Sequence, residues 1–402
     1  MIVTDILRRS AAQYADLPAL IDAAHRYTHA QLWEPVDRLS HALHALGLRK
    51  GHVLLAWLPN THAAVEAELA CLQSGVIWVT LNRSLTWPEV RGVVEATQPR
   101  VMIADPQFMA GASATPAPSM QLILADATAD SAFQGDDYEA LLAAHEPRPP
   151  DVRLHEDDVT RLRYTSGTTG TSKAAMLTHR VYLASLEVQQ RALHPLGPDD
   201  RALHAAPLTH ASAALLYPTL AAGGANVLLP GFDAETVVRM IESERISAMF
   251  CVPTMLYRLA AAPILEGANL TSLRTITYGG APIAPEKLTA LMDRLPNVLV
   301  QIYGLTEAVH PVTVLRREEH WPGNPRLLSI GTATHINEVE IQDDAGRPMP
   351  DGEVGELCVR GRNVMAGYWN DDSATAQVFR DGWLLTGDVA YRDSDGDFYI
   401  VD

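Results

Sequence analysis

Val53-Leu54-Leu55-Ala56-Trp57-Leu58 is a continuous apolar run closed by Pro59-Asn60. A strand with one wet face alternates apolar and polar residues; an unbroken run suits a strand covered on both faces, as in a parallel sheet. Helical spacing follows at 62–74, and Val76-Ile77-Trp78-Val79-Thr80-Leu81 is a second such run. A helix at 87–96 and the strand Val101-Met102-Ile103-Ala104 repeat the unit. Strand and helix in alternation predict a doubly wound α/β layer. Upstream, 4–16 reads as a helix capped by Thr4 or Asp5, and 30–47 as a helix with Leu32, Val36, Leu39, Leu43 and Leu46 at helical spacing.

The same alternation resumes downstream. Helices are predicted at 179–193, 211–222, 234–243, 254–261 and 285–294, between strands at 201–206, 225–230, 246–251, 273–278 and 299–304. Beyond about residue 325 the texture changes to short alternating runs, Val339-Glu340-Ile341 and Glu356-Leu357-Cys358-Val359. Turns such as Asp343-Asp344-Ala345-Gly346 and Asp351-Gly352 separate them, which predicts a small antiparallel barrel. The expected fold is therefore α/β: two doubly wound mixed or parallel sheets flanked by helices, plus a small antiparallel β-barrel. Approximate divisions fall at 1–195, 196–324 and 325–402, with loose connections at 106–119 and 145–151.

Composition narrows the function. The 402 residues are 47% hydrophobic and 20% charged, the balance of a globular chain. A net charge of -17, from 31 Lys and Arg against 48 Asp and Glu, argues against a nucleic-acid surface. Any anionic ligand must be won locally, against the field of the whole molecule. Cys71, Cys251 and Cys358 lie far apart, which predicts buried, reduced thiols. The first residues lack an apolar signal core, and no run is long enough to span a bilayer, so a cytoplasmic protein without stable membrane insertion is expected.

Chemistry concentrates at predicted strand ends. Tyr164-Thr165-Ser166-Gly167-Thr168-Thr169-Gly170-Thr171-Ser172-Lys173 holds six Ser or Thr residues, two glycines and a lysine. Successive backbone N–H groups in such a turn form an anion nest, hydroxyls add donors, and Lys173 adds charge; a polyphosphate is the natural occupant. It is not a Walker A loop, because Ser172 precedes the lysine and Ala174 follows it. Gly279-Gly280-Ala281-Pro282 and Tyr303-Gly304-Leu305-Thr306-Glu307 end two further strands. In open α/β sheets ligands sit beyond such ends. The glycine pair lets a planar ring approach bare backbone, Tyr303 offers an aromatic face, and Glu307 can hold Mg²⁺ against phosphates. Leu385-Thr386-Gly387-Asp388 is a turn or a ribose-clasping carboxylate. His310, His320 and His335 show no metal-ligand spacing and read as surface or structural.

These motifs together resemble the adenylate-forming superfamily: acyl-CoA synthetases, peptide-synthetase adenylation domains and firefly luciferase. The loop matches its Y-T-S-G-T-T-G-x-P-K-G signature. Its P-x-x-H element (Pro207-Leu208-Thr209-His210), its G-G-A-P turn, its Y-G-x-T-E motif and its T-G-D motif follow in order. Leu58-Pro59-Asn60 and Leu81-Asn82 also stand in their customary places. The resemblance implies a two-step reaction on a small-molecule carboxylic acid, with ATP, Mg²⁺ and coenzyme A, by way of an acyl-adenylate. It implies that Thr165 to Lys173 hold the β- and γ-phosphates, Gly280, Ala281 and Pro282 line the adenine and acyl sites, and Tyr303 stacks on the base beside Gly304. Thr306 would meet the α-phosphate, Glu307 the Mg²⁺ and Asp388 the ribose. His210 would stand at the acyl-pocket mouth.

Three departures qualify the match. Ser172 and Ala174 replace the usual proline and glycine, which leaves open a variant that mainly forms thioester from a supplied acyl-adenylate. Tyr399-Ile400-Val401-Asp402 resembles the hinge before the family's small C-terminal domain, so that domain is expected to be absent and the chain to turn over poorly. Where amino-acid-activating relatives carry an aspartate, this chain has Ala211. With Ser212, Ala213, Ala214 and Gly279 nearby, a bulky or extended apolar acid is expected. An adenylation domain loading a carrier protein and a nucleotide-binding regulatory protein remain as alternatives, and a homodimer is compatible with all of them.

Overall fold

In the computed structural model, which describes residues 1–109, 120–125, 133–165 and 173–401, the strand Val53–Trp57 is buried along its whole length. Leu54 and Ala56 face one core, and Val53, Leu55 and Trp57 face another. That double burial is why the run carries no polar residue. The strand lies inside a seven-stranded sheet ordered Asp136–Asp137, Gln121–Leu124, Val101–Ala104, Val53–Trp57, Ile77–Thr80, Val159–Tyr164 and Ala174–Thr178. Every pair is parallel except the last.

A nine-stranded sheet forms the second layer: Thr332–Ala333, Thr313–Leu315, Leu299–Tyr303, Thr275–Tyr278, Ala248–Cys251, Arg201–His204, Ala225–Leu228, Pro18–Ile21 and Arg26–Thr28. Its centre is parallel and both margins are antiparallel. The hairpin at 18–28 was not foreseen. It leaves the N-terminal region and docks on the second sheet, with Leu20 opposite Asn226 and Ile21 opposite Val227. The helices Val3–Gln13, His29–Ala45, His62–Ser74, His179–Arg191 and Leu216–Ala221 pack on one another between the sheets.

The remaining strands, Asn337–Gln342, Gly355–Gly361, Phe379–Arg380, Trp383–Arg392 and Phe398–Ile400, form the expected small antiparallel unit as one curled sheet. Two local expectations need correction. The first helix, Val3–Gln13, is capped from inside: the Ile2 N–H donates to Asp5 Oδ2 at 2.9 Å, while Thr4 is buried. The predicted helix at 211–222 is split into a 3₁₀ segment, Ala211–Leu215, and the helix Leu216–Ala221. All three cysteines are free and buried, and no helix among the described residues is long and apolar enough to cross a membrane.

Three buried histidines give the fold an acid limit. Burial pulls His179, His204 and His310 down to about 4. Unfolded, each titrates near the ordinary value of about 6.5. Between those pH values the unfolded chain binds more protons, so stability falls as pH falls, by up to about 1.4 kcal/mol per pH unit for each histidine. Urea midpoints should therefore drop by an amount worth several kcal/mol between pH 7 and pH 5, and a flat profile across that range would contradict this reading.

Candidate active site

The strands Val159–Tyr164 and Ala174–Thr178 form a hairpin, and the Thr165 N–H donates to the Lys173 carbonyl at 2.9 Å, closing the base of the hydroxyl-rich loop. Residues 166–172, with Ser166, Gly167, Thr168, Thr169 and Gly170, lie outside the described residues. On the far edge of Ala174–Thr178 runs the segment 364–369. Met176 N–H donates to Gly367 O at 2.9 Å and Trp369 N–H to Ala174 O at 2.8 Å. This pairing sets the Tyr368 ring 5.2 Å from Lys173 Nζ, a cation–π contact.

Tyr368 then carries the line onward: its hydroxyl donates to Glu307 Oε1 at 2.7 Å. Glu307 is pinned through its backbone as well, since its carbonyl accepts from Met365 N–H at 2.8 Å. Thr306 shares the turn that the Leu305 N–H closes onto Ala308 O at 3.0 Å. Glu307 Oε2 has no hydrogen bond among the described residues, so one oxygen of a half-buried, anchored carboxylate is open to a ligand. A hard cation such as Mg²⁺ fits that donor. Tyr303 stands at the end of Leu299–Tyr303 and its hydroxyl donates to Asp388 Oδ2. Burial first, then the Asp388 charge, raises the phenol's pKa, so it stays protonated and keeps donating.

Two glycines let these strand ends come together. A Cβ on Gly279 would sit 2.2 Å from Ile302 O, and one on Gly304 would sit 2.6 Å from His310 Cα. Gly280 adopts φ +82° and, with Ala281 and Pro282, forms an exposed lip.

The Pro207-Leu208-Thr209-His210 element is held from behind. Asn60 Nδ2 donates to His204 O at 3.1 Å and Ala206 O at 2.9 Å, and Asn60 Oδ1 accepts from Leu208 N–H at 2.9 Å. Arg161 Nη2 donates to Leu208 O at 3.0 Å. Asn60→Ala would orphan these buried groups and is expected to cost about 2–4 kcal/mol. Denaturant unfolding checks it, with acid turnover falling alongside because His210 loses its support. His210 is exposed, its Nδ1 2.6 Å from Thr209 Oγ1, and desolvation by the surrounding protein, then Arg163 and Arg161, lower its imidazole's pKa.

Two cavities flank this element. The smaller is walled by Ala211, Ala214, Leu215, Phe250, Ile302 and His310. The larger lies between the layers beside Thr209, with Asn60, Leu81 and Arg83 on its walls. Ser212, expected to line the acid pocket, is instead buried, its Oγ 3.1 Å from His204 Nδ1. His310, read from sequence as surface or structural, is buried with Nε2 3.2 Å from Ala211 O and lines the smaller cavity. His320 is half-buried, its Nε2 lying 2.9 Å from the Tyr278 hydroxyl. Tyr368 was missed altogether; a Tyr seven residues past a buried strand offers no periodic signal, and only the edge pairing at 364–369 reveals it.

The AMP-binding enzyme family matches residues 7–369. The chain belongs to that family. This AMP-binding enzyme is 38% identical over 377 residues to a feruloyl-CoA synthase of Amycolatopsis sp, covering 93% of this chain and 73% of that one. It is 35% identical over 380 residues to the indoleacetate--CoA ligase of Aromatoleum aromaticum, covering 93% and 72%. Among solved structures it superposes on amide bond synthetase McbA from Marinactinospora thermotolerans with a TM-score of 0.88 at 30% identity, over 100% of this chain and 79% of that one. The N-terminal domain of FACL13 from Mycobacterium tuberculosis gives a TM-score of 0.90 at 26% identity, over 100% and 99%. The membership and fold implied by the five motifs are thus borne out.

Proposed function

We propose that this AMP-binding enzyme joins a carboxylic acid carrying an aromatic ring on a short linker to the thiol of coenzyme A through an acyl-adenylate. The reading rests on one arrangement: Lys173, Tyr368 and Glu307 in a connected line, with Tyr303 and Asp388 at the neighbouring strand end, beside the smaller cavity. The cavity's walls, with Leu215, Phe250 and Ile302 among them, are apolar and aromatic, which suits a ring-bearing acid. Relatives named for ferulate and indoleacetate support that choice.

In the first step a carboxylate oxygen of the acid attacks the α-phosphorus of ATP. The new O–P bond forms as the bond to the pyrophosphate oxygen breaks, and pyrophosphate leaves with that electron pair. Lys173 neutralises the departing charge, and Thr306 and Glu307 face the reacting phosphate. Mg²⁺, when bound at Glu307, would supply further charge neutralisation. Tyr303 and Asp388 orient the nucleoside. In the second step the thiol sulfur attacks the acyl carbon, the bond to AMP breaks, and the thiol proton passes to solvent. Arg83, on the wall of the cavity beside Thr209, is suited to a phosphate of the acceptor.

ATP–pyrophosphate exchange with ferulate, indoleacetate and decanoate tests the acid class. At least tenfold faster exchange with the aryl acids is expected; equal or faster exchange with decanoate would overturn it. The 30% identity to an amide bond synthetase favours a second reading, in which an amine takes the place of the thiol. Mass spectrometry of the product formed with coenzyme A and with a simple amine separates the two.

A further inference from the structure

The turn of the 18–28 hairpin meets the start of the helix His62–Ser74. Asp22 Oδ1 accepts from the Ala24 and His25 N–H groups at 2.9 and 2.7 Å, which fixes the carboxylate. Its Oδ2 accepts from the His62 N–H at 2.8 Å and lies 2.8 Å from His62 Nδ1. So far this is a helix cap supplied from another sheet. His25 does not fit that account. Its ring lies 3.9 Å, centroid to centroid, from the His62 ring, and its Nδ1 is buried, has no hydrogen bond among the described residues, and stands 3.8 Å from Asp22 Oδ1. A buried ring nitrogen without a partner is unfavourable, and two imidazoles this close repel when protonated.

We propose that Asp22, His25 and His62 bind a divalent transition-metal ion of the zinc class, clasping the hairpin of the nine-stranded sheet to a helix that packs between the sheets. One ligand atom from each residue lies within 4.8 Å of the other two. Ligand bonds of about 2.0–2.2 Å in a tetrahedron put donor atoms about 3.4 Å apart. His62 Nδ1 lies 2.8 Å from Asp22 Oδ2 and His25 Nδ1 3.8 Å from Asp22 Oδ1, so the carboxylate already stands between the two rings and small side-chain rotations would bring the three donors to that spacing. Two imidazoles and a carboxylate suit Zn²⁺, with water in the fourth position. The outer groups also fit: Glu139 Oε1 lies 3.6 Å from His62 Nε2, on the side from which a carboxylate would orient a metal-bound histidine after a small approach, and three backbone N–H groups hold Asp22. Access is from the His25 side, where the side chain is 35% exposed. The site stands apart from the adenylation reading and does not depend on it.

The test uses the intact chain stripped with a chelator, titrated with Co²⁺ in an absorbance cell and with Zn²⁺ against a chromophoric chelator. His25→Ala leaves the helix cap untouched; Asp22→Asn is the second variant. One Co²⁺ per chain with visible d–d bands is expected, together with a Zn²⁺ affinity that falls at least tenfold in both variants. Zinc should raise the melting temperature of the parent and not of His25→Ala, whose metal-free melting temperature stays that of the parent. Absence of a stoichiometric site in the parent, or equal Zn²⁺ affinity in parent and both variants, overturns the proposal.

Discussion

Glu68→Ala is expected to lower stability by about 3–5 kcal/mol, enough to consume much of an ordinary folding free energy. Glu68 and Arg161 are 4% and 2% exposed and meet at 3.1 Å, where the helix His62–Ser74 crosses the strand Val159–Tyr164. Burial works against the Arg161 charge, and Glu68 together with Tyr182 and Tyr217 more than offsets it, so the guanidinium's pKa is raised. The Tyr217 hydroxyl donates to the same Glu68 oxygen at 2.7 Å, and Arg161 reaches Thr80 Oγ1 at 3.1 Å. Removing the carboxylate therefore strands a buried cation beside Arg163, whose own pKa burial and Arg161 already lower to about 10. The double change Glu68→Met with Arg161→Met should recover much of the loss, because it removes both desolvation terms together. Urea unfolding of Glu68→Met, Arg161→Met and the double change reads this as a double-mutant cycle; a single substitution, Glu68→Ala included, within 1 kcal/mol of the parent, on the scale of an exposed pair, would refute it.

Glu307→Gln should lower magnesium-dependent ATP–pyrophosphate exchange by about 10²–10³-fold, the range for loss of one preorganised electrostatic group. The neutral amide keeps the shape and can still accept from Tyr368, so the melting temperature should move little. Tyr368→Phe provides the contrast. It retains the ring against Lys173 and removes only the 2.7 Å hydrogen bond that orients Glu307, so a loss of a few fold, recovered at higher Mg²⁺, is expected. Exchange by Glu307→Gln within threefold of the parent would remove Glu307 from the proposed reaction.

The doubly wound layers were legible because strands covered on both faces must be apolar throughout, as Val53–Trp57 and Ala248–Cys251 are. Composition could not reveal the hairpin at 18–28. Pro18-Ala19-Leu20-Ile21 is too short to show a period, and its partner lies in another part of the sequence. The same limit governed the site. Strand-end residues such as Tyr303, Glu307 and Asp388 stood out locally. Tyr368, His310 and Asn60 act through contacts that only the tertiary arrangement creates, with 61 residues separating Tyr368 from Glu307 and 148 separating Asn60 from Leu208. The His25 and His62 pair was invisible for a related reason: spacing tests for metal ligands look along the chain, and these two meet across it.

The long reach of the hairpin has a consequence for biosynthesis. Leu20 leaves the ribosome about 200 residues before Asn226, the residue it lies beside in the finished sheet. At a translation rate of about 5–20 residues per second, that is a wait of roughly 10–40 s. Throughout it the nascent hairpin presents an unpaired edge, the surface from which wrong pairings start. Yield in a cell should therefore respond to trigger-type chaperones and to slower growth temperature more strongly than the finished protein's equilibrium stability would suggest.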